Sequence, residues 1–258
     1  AGIALALAVA GQGLQVLLLE AGRHRADPLA QSLYAGELAN DRHCPPERFR
    51  LRGLGGSSAI WGGRCMPFDP IDFERRDWIP NSGWPLSLDE LTPYYDRAHK
   101  VLKLGPVNFD PQFWEQAIGR PDVRRIPLKS GRVRDTISQF SPPVRFGRHY
   151  RKDLQRASHV RIFLHANVTA LLPDRGCTRI SQVRVQTLDG KSMTVAARLF
   201  VLATGGVENA RLLLASNQQA GCGIGNWRDL VGRYFMDHPR MQAGSVRFAD
   251  GWSRNKLY

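Results

Sequence analysis

The chain starts with Ala1-Gly2 and an apolar run from Ile3 to Ala10, pauses at Gly11-Gln12-Gly13, and resumes as Leu14-Gln-Val-Leu-Leu-Leu-Glu20. A glycine opening an apolar helix, followed by a buried strand that ends in a carboxylate, is the second half of a β-α-β dinucleotide-binding unit. In such a unit the helix N-terminus faces a pyrophosphate and the acid takes ribose hydroxyls. Glu20 stands 18 positions after Gly2 (20 − 2), close to the spacing of about 20 that the role asks for. The competing reading is an ordinary surface acid at a strand end. The first strand of such a unit and the first two glycines of its fingerprint do not precede Gly2, so the chain is expected to be incomplete there.

The 258 residues, 43% of them hydrophobic, suffice for one large or two modest globular domains. Lys and Arg number 36 against 23 Asp and Glu, a net charge of +13 that favours acidic partners, anionic membrane faces or nucleic acid through long-range steering. The excess is concentrated: residues 120–156 hold eleven Lys or Arg and three acids, Asp122, Asp135 and Asp153. No zinc finger, helix-turn-helix or RNP-like motif accompanies it, and a charge run of this kind is ordinarily a solvated face. Docking of nucleic acid or an acidic protein by this segment stays open as a third reading, to be judged by the salt dependence of binding. The cysteines, 44, 65, 177 and 222, are scattered, without Cys-x-x-Cys or a zinc-like His spacing, so no metal site is expected. The apolar start has no basic region before it, which argues against a targeting signal. No apolar stretch reaches the roughly 18 residues of a spanning helix.

Further along, Arg52-Gly-Leu-Gly-Gly-Ser-Ser-Ala-Ile-Trp-Gly-Gly63 packs five glycines and two serines into twelve residues. Such a loop can turn its N–H groups towards an anion or let a flat ring approach the main chain. Trp61 suggests a ring beside something planar, although a buried structural tryptophan fits nearly as well. Ser87-Leu-Asp-Glu90 is a capping box that predicts a helix to about Leu104, with Leu88, Leu91, Tyr95, Ala98, Val101 and Leu102 on one stripe. The basic segment carries Gly131, Pro142-Pro143 and Gly147 and is expected to be a long connection ending in a short helix near Arg151 to Ala157. Strands are expected over Val160 to Leu164 and Asn167 to Leu172, and a hairpin over Ser181 to Leu188 and Lys191 to Ala197 around Asp189-Gly190. Arg198-Leu-Phe-Val-Leu-Ala-Thr-Gly-Gly206 reads as a second buried strand ending in glycines, with a helix over Val207 to Ser216, so the chain returns to the nucleotide site.

Taken in order, Gly55-Gly-Ser-Ser58 with Gly62-Gly63, Trp84-Pro85, Pro93-Tyr-Tyr95, Ala166-Asn-Val168, Val201-Leu-Ala-Thr-Gly-Gly-Val-Glu-Asn-Ala-Arg211 and Val231-Gly-Arg-Tyr-Phe-Met-Asp-His-Pro239 resemble the glucose-methanol-choline (GMC) oxidoreductases. Within them the chain is most similar to the bacterial sugar and polyol dehydrogenase branch, alongside pyranose oxidases. The resemblance covers almost the whole chain. It implies an α/β fold: a Rossmann-like FAD-binding domain with a parallel sheet over residues 1–232, carrying a long loop and helix insertion over about 23–156, and the beginning of an α+β substrate-binding domain over 233–258. Met241 to Phe248 would be the first strand of that second domain.

The resemblance further implies FAD as cofactor and oxidation of an alcohol, sugar or polyol hydroxyl by hydride transfer to the flavin, with a quinone or cytochrome as possible electron acceptor and no nucleic acid partner. Carried over by position, Gly2 lies at the pyrophosphate and Glu20 at the adenosine ribose, with Ala21 and Gly22 beside it. Gly55, Gly56, Ser57, Ser58, Trp61, Gly62 and Gly63 run along the pyrophosphate and isoalloxazine. Val168 meets adenine through its backbone, and Ala203 to Gly206, including Gly205, close the nucleotide site. Where some relatives attach FAD through a histidine, this chain has Ile60, which implies dissociable FAD. The catalytic histidine and its His or Asn partner are expected beyond Tyr258, so no catalytic residue is assigned; His238 is given a structural role, since a general base is chosen by geometry. A catalytically inactive flavin-binding protein is the alternative. Buried N–H and C=O groups left unpaired by a missing central strand would each cost roughly 1–3 kcal/mol, against a total stability of about 5–15 kcal/mol. On its own the segment is therefore expected to be insoluble or to bind no flavin.

Overall fold

The computed structural model describes residues 1–39, 45–128, 131, 133–237, 242, 244, 245, 247 and 257. Cys44, His238 and half of the strand expected over Met241 to Phe248 fall outside them. In chain order the helices are α1 (Gly2–Ala10), α2 (Pro28–Ser32), α3 (Pro46–Phe49), α4 (Leu88–Leu102), α5 (Pro111–Ile118), α6 (Phe146–His149), α7 (Arg151–Arg156) and α8 (Gly206–Ala215). The strands are β1 (Val16–Leu19), β2 (Arg64–Cys65), β3 (Gln139–Phe140), β4 (Val160–Phe163), β5 (Asn167–Pro173), β6 (Ile180–Gln186) and β7 (Ser192–Ala196). They divide into two compact units, one built from Ala1–Trp61 and Arg145–His238, the other from Gly62–Val144 and Pro239–Tyr258.

In the first unit, β1 and β4 pair in parallel from Val16 opposite Val160 to Leu19 opposite Phe163. The ladder continues past the strand ends, where the Glu20 N–H donates to the Phe163 carbonyl (2.9 Å) and the Ala166 N–H to the Glu20 carbonyl (2.9 Å). The apolar side chains of α1 supply the cover: Ile3 packs with Leu54 and Leu154, flanked by Leu7, Leu18, Val160 and Ile162. A second cluster forms where the meander β5-β6-β7 meets α8, around Ala166, Leu171, Val183, Val185 and Leu212. The expected hairpin is present, with β6 and β7 antiparallel and Gly190 at φ +88° in the turn.

Two expectations need correction. The segment from Arg198 to Gly206 is not a strand, because no neighbour among the described residues hydrogen-bonds to it in a ladder. It keeps the alternation of an extended chain: Phe200 and Leu202 pack onto the second cluster, while Leu199 and Val201 stand 79% and 57% exposed. Hydrophobicity alone proposed burial, and pairing was the condition it lacked. For a related reason β1 is not buried on both faces, since Leu17 is 39% exposed.

In the second unit the capping box forms as its residues require. The Ser87 hydroxyl accepts from the Glu90 N–H (3.2 Å), the Glu90 carboxylate accepts from the Ser87 N–H (2.7 Å), and α4 runs to Leu102. Gln139, buried on β3, accepts from the Gly105 N–H and donates to the carbonyls of Pro106 and Asn108, tying this loop to the β2-β3 pair.

One contact fixes the glycine-rich loop in the first unit. Gly55, at φ +96°, lies so close to Gly147 that a Cβ on Gly147 would stand 1.8 Å from the Leu54 carbonyl oxygen. Gly147→Ala is therefore expected to cost at least about 2 kcal/mol through forced backbone displacement. Leu154→Ala, at a side chain only 2% exposed, should cost about 2–5 kcal/mol. Urea unfolding of the two variants checks both.

Candidate functional site

At the C-terminal end of β1 the Glu20 carboxylate turns back and accepts the Gly22 N–H at 2.8 Å. Gly22 has to be glycine, because a Cβ there would lie 2.4 Å from the Arg52 carbonyl oxygen. The two segments stay in register through an Arg23–Gly53 bridge and the Leu54 N–H donating to the Arg23 carbonyl (2.9 Å). Burial raises the Glu20 pKa from its ordinary value of 4.5, against the opposing pull of the Gly22 N–H and the charge of Arg52.

Arg52 belongs to a buried ionic cluster that the residue-by-residue reading missed. Its guanidinium donates to Asn167 Oδ1 at 3.2 Å and pairs with Glu208 at 3.5 Å, and its Nε is buried without a hydrogen-bond partner. Glu208, in the first turn of α8, also receives Arg50 at 2.9 Å and Arg211 at 2.8 Å. The Tyr34 ring lies 4.2 Å from the Arg50 guanidinium carbon and 4.4 Å from that of Arg52. Burial alone would raise the Glu208 pKa, but the hydrogen bonds from Arg211 and Arg50 and the surrounding positive charge hold it below the ordinary carboxylate range. An acid in the first turn of a helix opposite an Arg-x-Arg pair was the signal in the sequence.

Several expected residues come together around α1. A Cβ on Gly2 would stand 3.3 Å from the Ala203 Cβ and 3.8 Å from Leu18, so the N-terminus of α1, β1 and the segment leading to Gly205-Gly206 converge. Among the described residues no side chain caps α1, whose N-cap is Ala1, so its first-turn N–H groups have no side-chain acceptor there. Gly205 and Gly206 are exposed, and a Cβ on either would meet nothing within 4 Å among the described residues. Thr204 is held by the Asn209 side chain, which accepts from its N–H (3.1 Å) and hydroxyl (2.6 Å).

The glycine-rich loop is a short 3₁₀ turn over Gly56–Ala59. Ser57 Oγ accepts from the Leu51 N–H (3.3 Å), and Ser58 Oγ donates to the Gly55 carbonyl (2.6 Å) while accepting from the Phe146 N–H (3.2 Å). Arg145 reaches the Trp61 carbonyl at 2.5 Å, and Trp61 is half-buried. Both serines thus have a conformational duty independent of any ligand. Gly62 and Gly63 fall in the second unit, where the Gly63 carbonyl accepts from the Ser141 N–H (2.8 Å). Val168 sits half-buried on β5 opposite Val185, beside a register shift between Val168 and Ala170.

Comparison with known proteins gives this geometry its context. No protein-family model matches the chain. It is 25% identical to the fructose dehydrogenase large subunit of Gluconobacter japonicus over 73% of the chain and 41% of the relative. It is 27% identical to paromamine 6'-oxidase of Streptomyces fradiae over 86% and 49%, and 23% identical to 2-methyl-1,2-propanediol dehydrogenase of Mycolicibacterium austroafricanum over 77% and 43%. Its homologues are GMC-type oxidoreductases. Among solved structures, pyridoxine 4-oxidase from Mesorbium loti superposes with a TM-score of 0.50 at 20% identity, over 83% of this chain and 48% of that one, a likeness of fold. FAD is the cofactor of the GMC family. The chain spans about half the length, or less, of the curated relatives it matches.

Because the folded-state pKa of Glu20 is raised, the stability linked to its proton is fully present below 4.5 and is lost as pH rises through the raised value. Cofactor-free Glu20→Gln is accordingly expected to match the native protein below pH 4.5 and to unfold at higher urea at neutral pH. Glu208→Gln should instead cost about 3–5 kcal/mol at neutral pH, by leaving buried guanidinium charge uncompensated. Urea midpoints across pH measure both.

Proposed function

We propose that this chain supplies the FAD-holding part of an oxidoreductase that oxidises a CH–OH group of an alcohol, sugar or polyol. The observation that carries the reading is the convergence of the α1 N-terminus at Gly2 with Ala203 and with Leu18 of β1, the strand that half-buried Glu20 follows. Free first-turn N–H groups suit a pyrophosphate. Glu20 has one oxygen committed to Gly22 and a burial penalty that Gly22 and Arg52 only partly offset, so hydroxyl donors from a ribose would stabilise its charged form. The partnerless buried Nε of Arg52, a residue whose charge acts on Glu20, is a further polar group for a ligand to satisfy. These residues fit the group.

In this reading the first unit is Rossmann-like, residues 1–232 form the FAD-binding domain with 23–156 inserted, and 233–258 lead into a substrate-binding domain. Gly2 and the α1 N-terminus hold the pyrophosphate, Glu20 with Ala21 and Gly22 orients the adenosine ribose, Val168 meets adenine, and Ala203, Gly205 and Gly206 close the site. Gly55 to Gly63 lie along the pyrophosphate and isoalloxazine. FAD, when bound, supplies the hydride acceptor. Ile60, 51% exposed, offers no nucleophile for a covalent link, so the cofactor is held non-covalently. The substrate is a small alcohol, sugar or polyol, and a quinone or cytochrome takes the electrons. The names of the relatives, two dehydrogenases and an oxidase, support the reaction class.

The test is the protein purified from its complete reading frame. It should carry a flavin spectrum near one FAD per chain, and acid precipitation should release the chromophore into the supernatant. Glu20→Ala should lower FAD affinity about tenfold or more, the loss of hydrogen bonds to a charged group. A colourless protein that takes up no FAD would overturn the reading, and a yellow acid pellet would overturn the non-covalent link.

A further inference from the structure

Beside the residues assigned to the flavin, the first unit carries an open cleft of about 700 Å³ whose polar lining is Arg23, His24, Arg25, Asp27, Arg151 and His165. None of the candidate cofactor residues lines it. The wall comes from three separated stretches: the loop after Gly22, the first residue of α7 and the turn between β4 and β5. It holds three guanidiniums and two imidazoles against one carboxylate, and that carboxylate is already engaged. Asp27 caps α2 by accepting the Leu29 N–H (3.1 Å) and pairs with Arg23 at 3.1 Å. Arg25 and Arg151 have no ion-pair partner among the described residues and are exposed.

A second feature marks the same place. His165 is held at φ +56°, in the left-handed region that a non-glycine residue adopts at a cost, and its N–H donates to the Gly22 carbonyl at 3.2 Å. Thus the turn that presents this imidazole to the cavity is fixed by the same Gly22 that anchors Glu20. Uncompensated guanidiniums and imidazole donors around a concave wall are the complement of a tetrahedral oxyanion, for which the planar fork of arginine is well shaped.

The geometry points to a binding site for a phosphate-bearing small molecule in this cavity, with Arg25 and Arg151 as the principal contacts and His24 and His165 as supporting donors. Its lining residues differ from those assigned to the flavin and border them at Gly22, whose carbonyl accepts the His165 N–H, and the proposal does not rest on the flavin reading. It also gives Arg151, at the end of the basic stretch 120–156, a task more specific than solvation.

Titration calorimetry with inorganic pyrophosphate, at a fixed ionic strength of about 0.15 M to screen loose surface attraction, tests it on the protein from its complete reading frame with FAD added to saturation. The native protein should bind pyrophosphate, the exposed pair R25Q/R151Q should bind it at least tenfold more weakly, and R198Q, outside the cavity, should bind it as the native protein does. Absence of binding, equal affinity in R25Q/R151Q, or an equal loss in R198Q would overturn the site. Flavin content, read from the absorption spectrum of the same samples, reports on the flavin reading independently.

Discussion

Three guanidiniums, from Arg50, Arg52 and Arg211, converge on the single buried carboxylate of Glu208, and the closure of the first unit around Glu20 depends on that convergence. Arg50 and Arg52 lie more than 150 positions from Glu208 in sequence, and through Asn167 the same cluster reaches the start of β5. Desolvating one acid and parts of three bases is affordable only because each finds its partner. In return, the loop after α3, the meander and α8 are fixed relative to the end of β1. The Arg52 backbone then comes close enough that only glycine fits at position 22.

The local parts of this arrangement were legible in the sequence. The α4 capping box, the Asp189-Gly190 hairpin and the helix-strand-acid opening each depend on a few neighbouring residues, and each formed as its pattern required. What could not be read was set by partners distant in the chain. The run from Leu199 to Gly206 has the composition of a strand, but strand character belongs to a pair of segments. The ionic cluster was hidden for the same reason: Arg50, Arg52, Asn167 and Glu208 are unremarkable singly and informative only once assembled.

Among the expected site residues a division of labour emerged. Gly22 and Gly55 earn their place through close backbone approach, and the hydroxyl of Ser58 through holding its own turn. Gly2 and Gly206 instead expose main chain that no side chain shapes, and Glu20 an acceptor of which only one oxygen is bonded. That contrast separates residues whose role in shaping the loop is visible from residues whose proposed role is to meet the cofactor.

The segment at Leu199 and Val201 has a further meaning. With one apolar row buried, the other facing water and no ladder partner among the described residues, this stretch lacks the cross-strand bonds that hold β1 to β4, and a backbone held by side-chain packing alone opens more readily than one locked in a ladder.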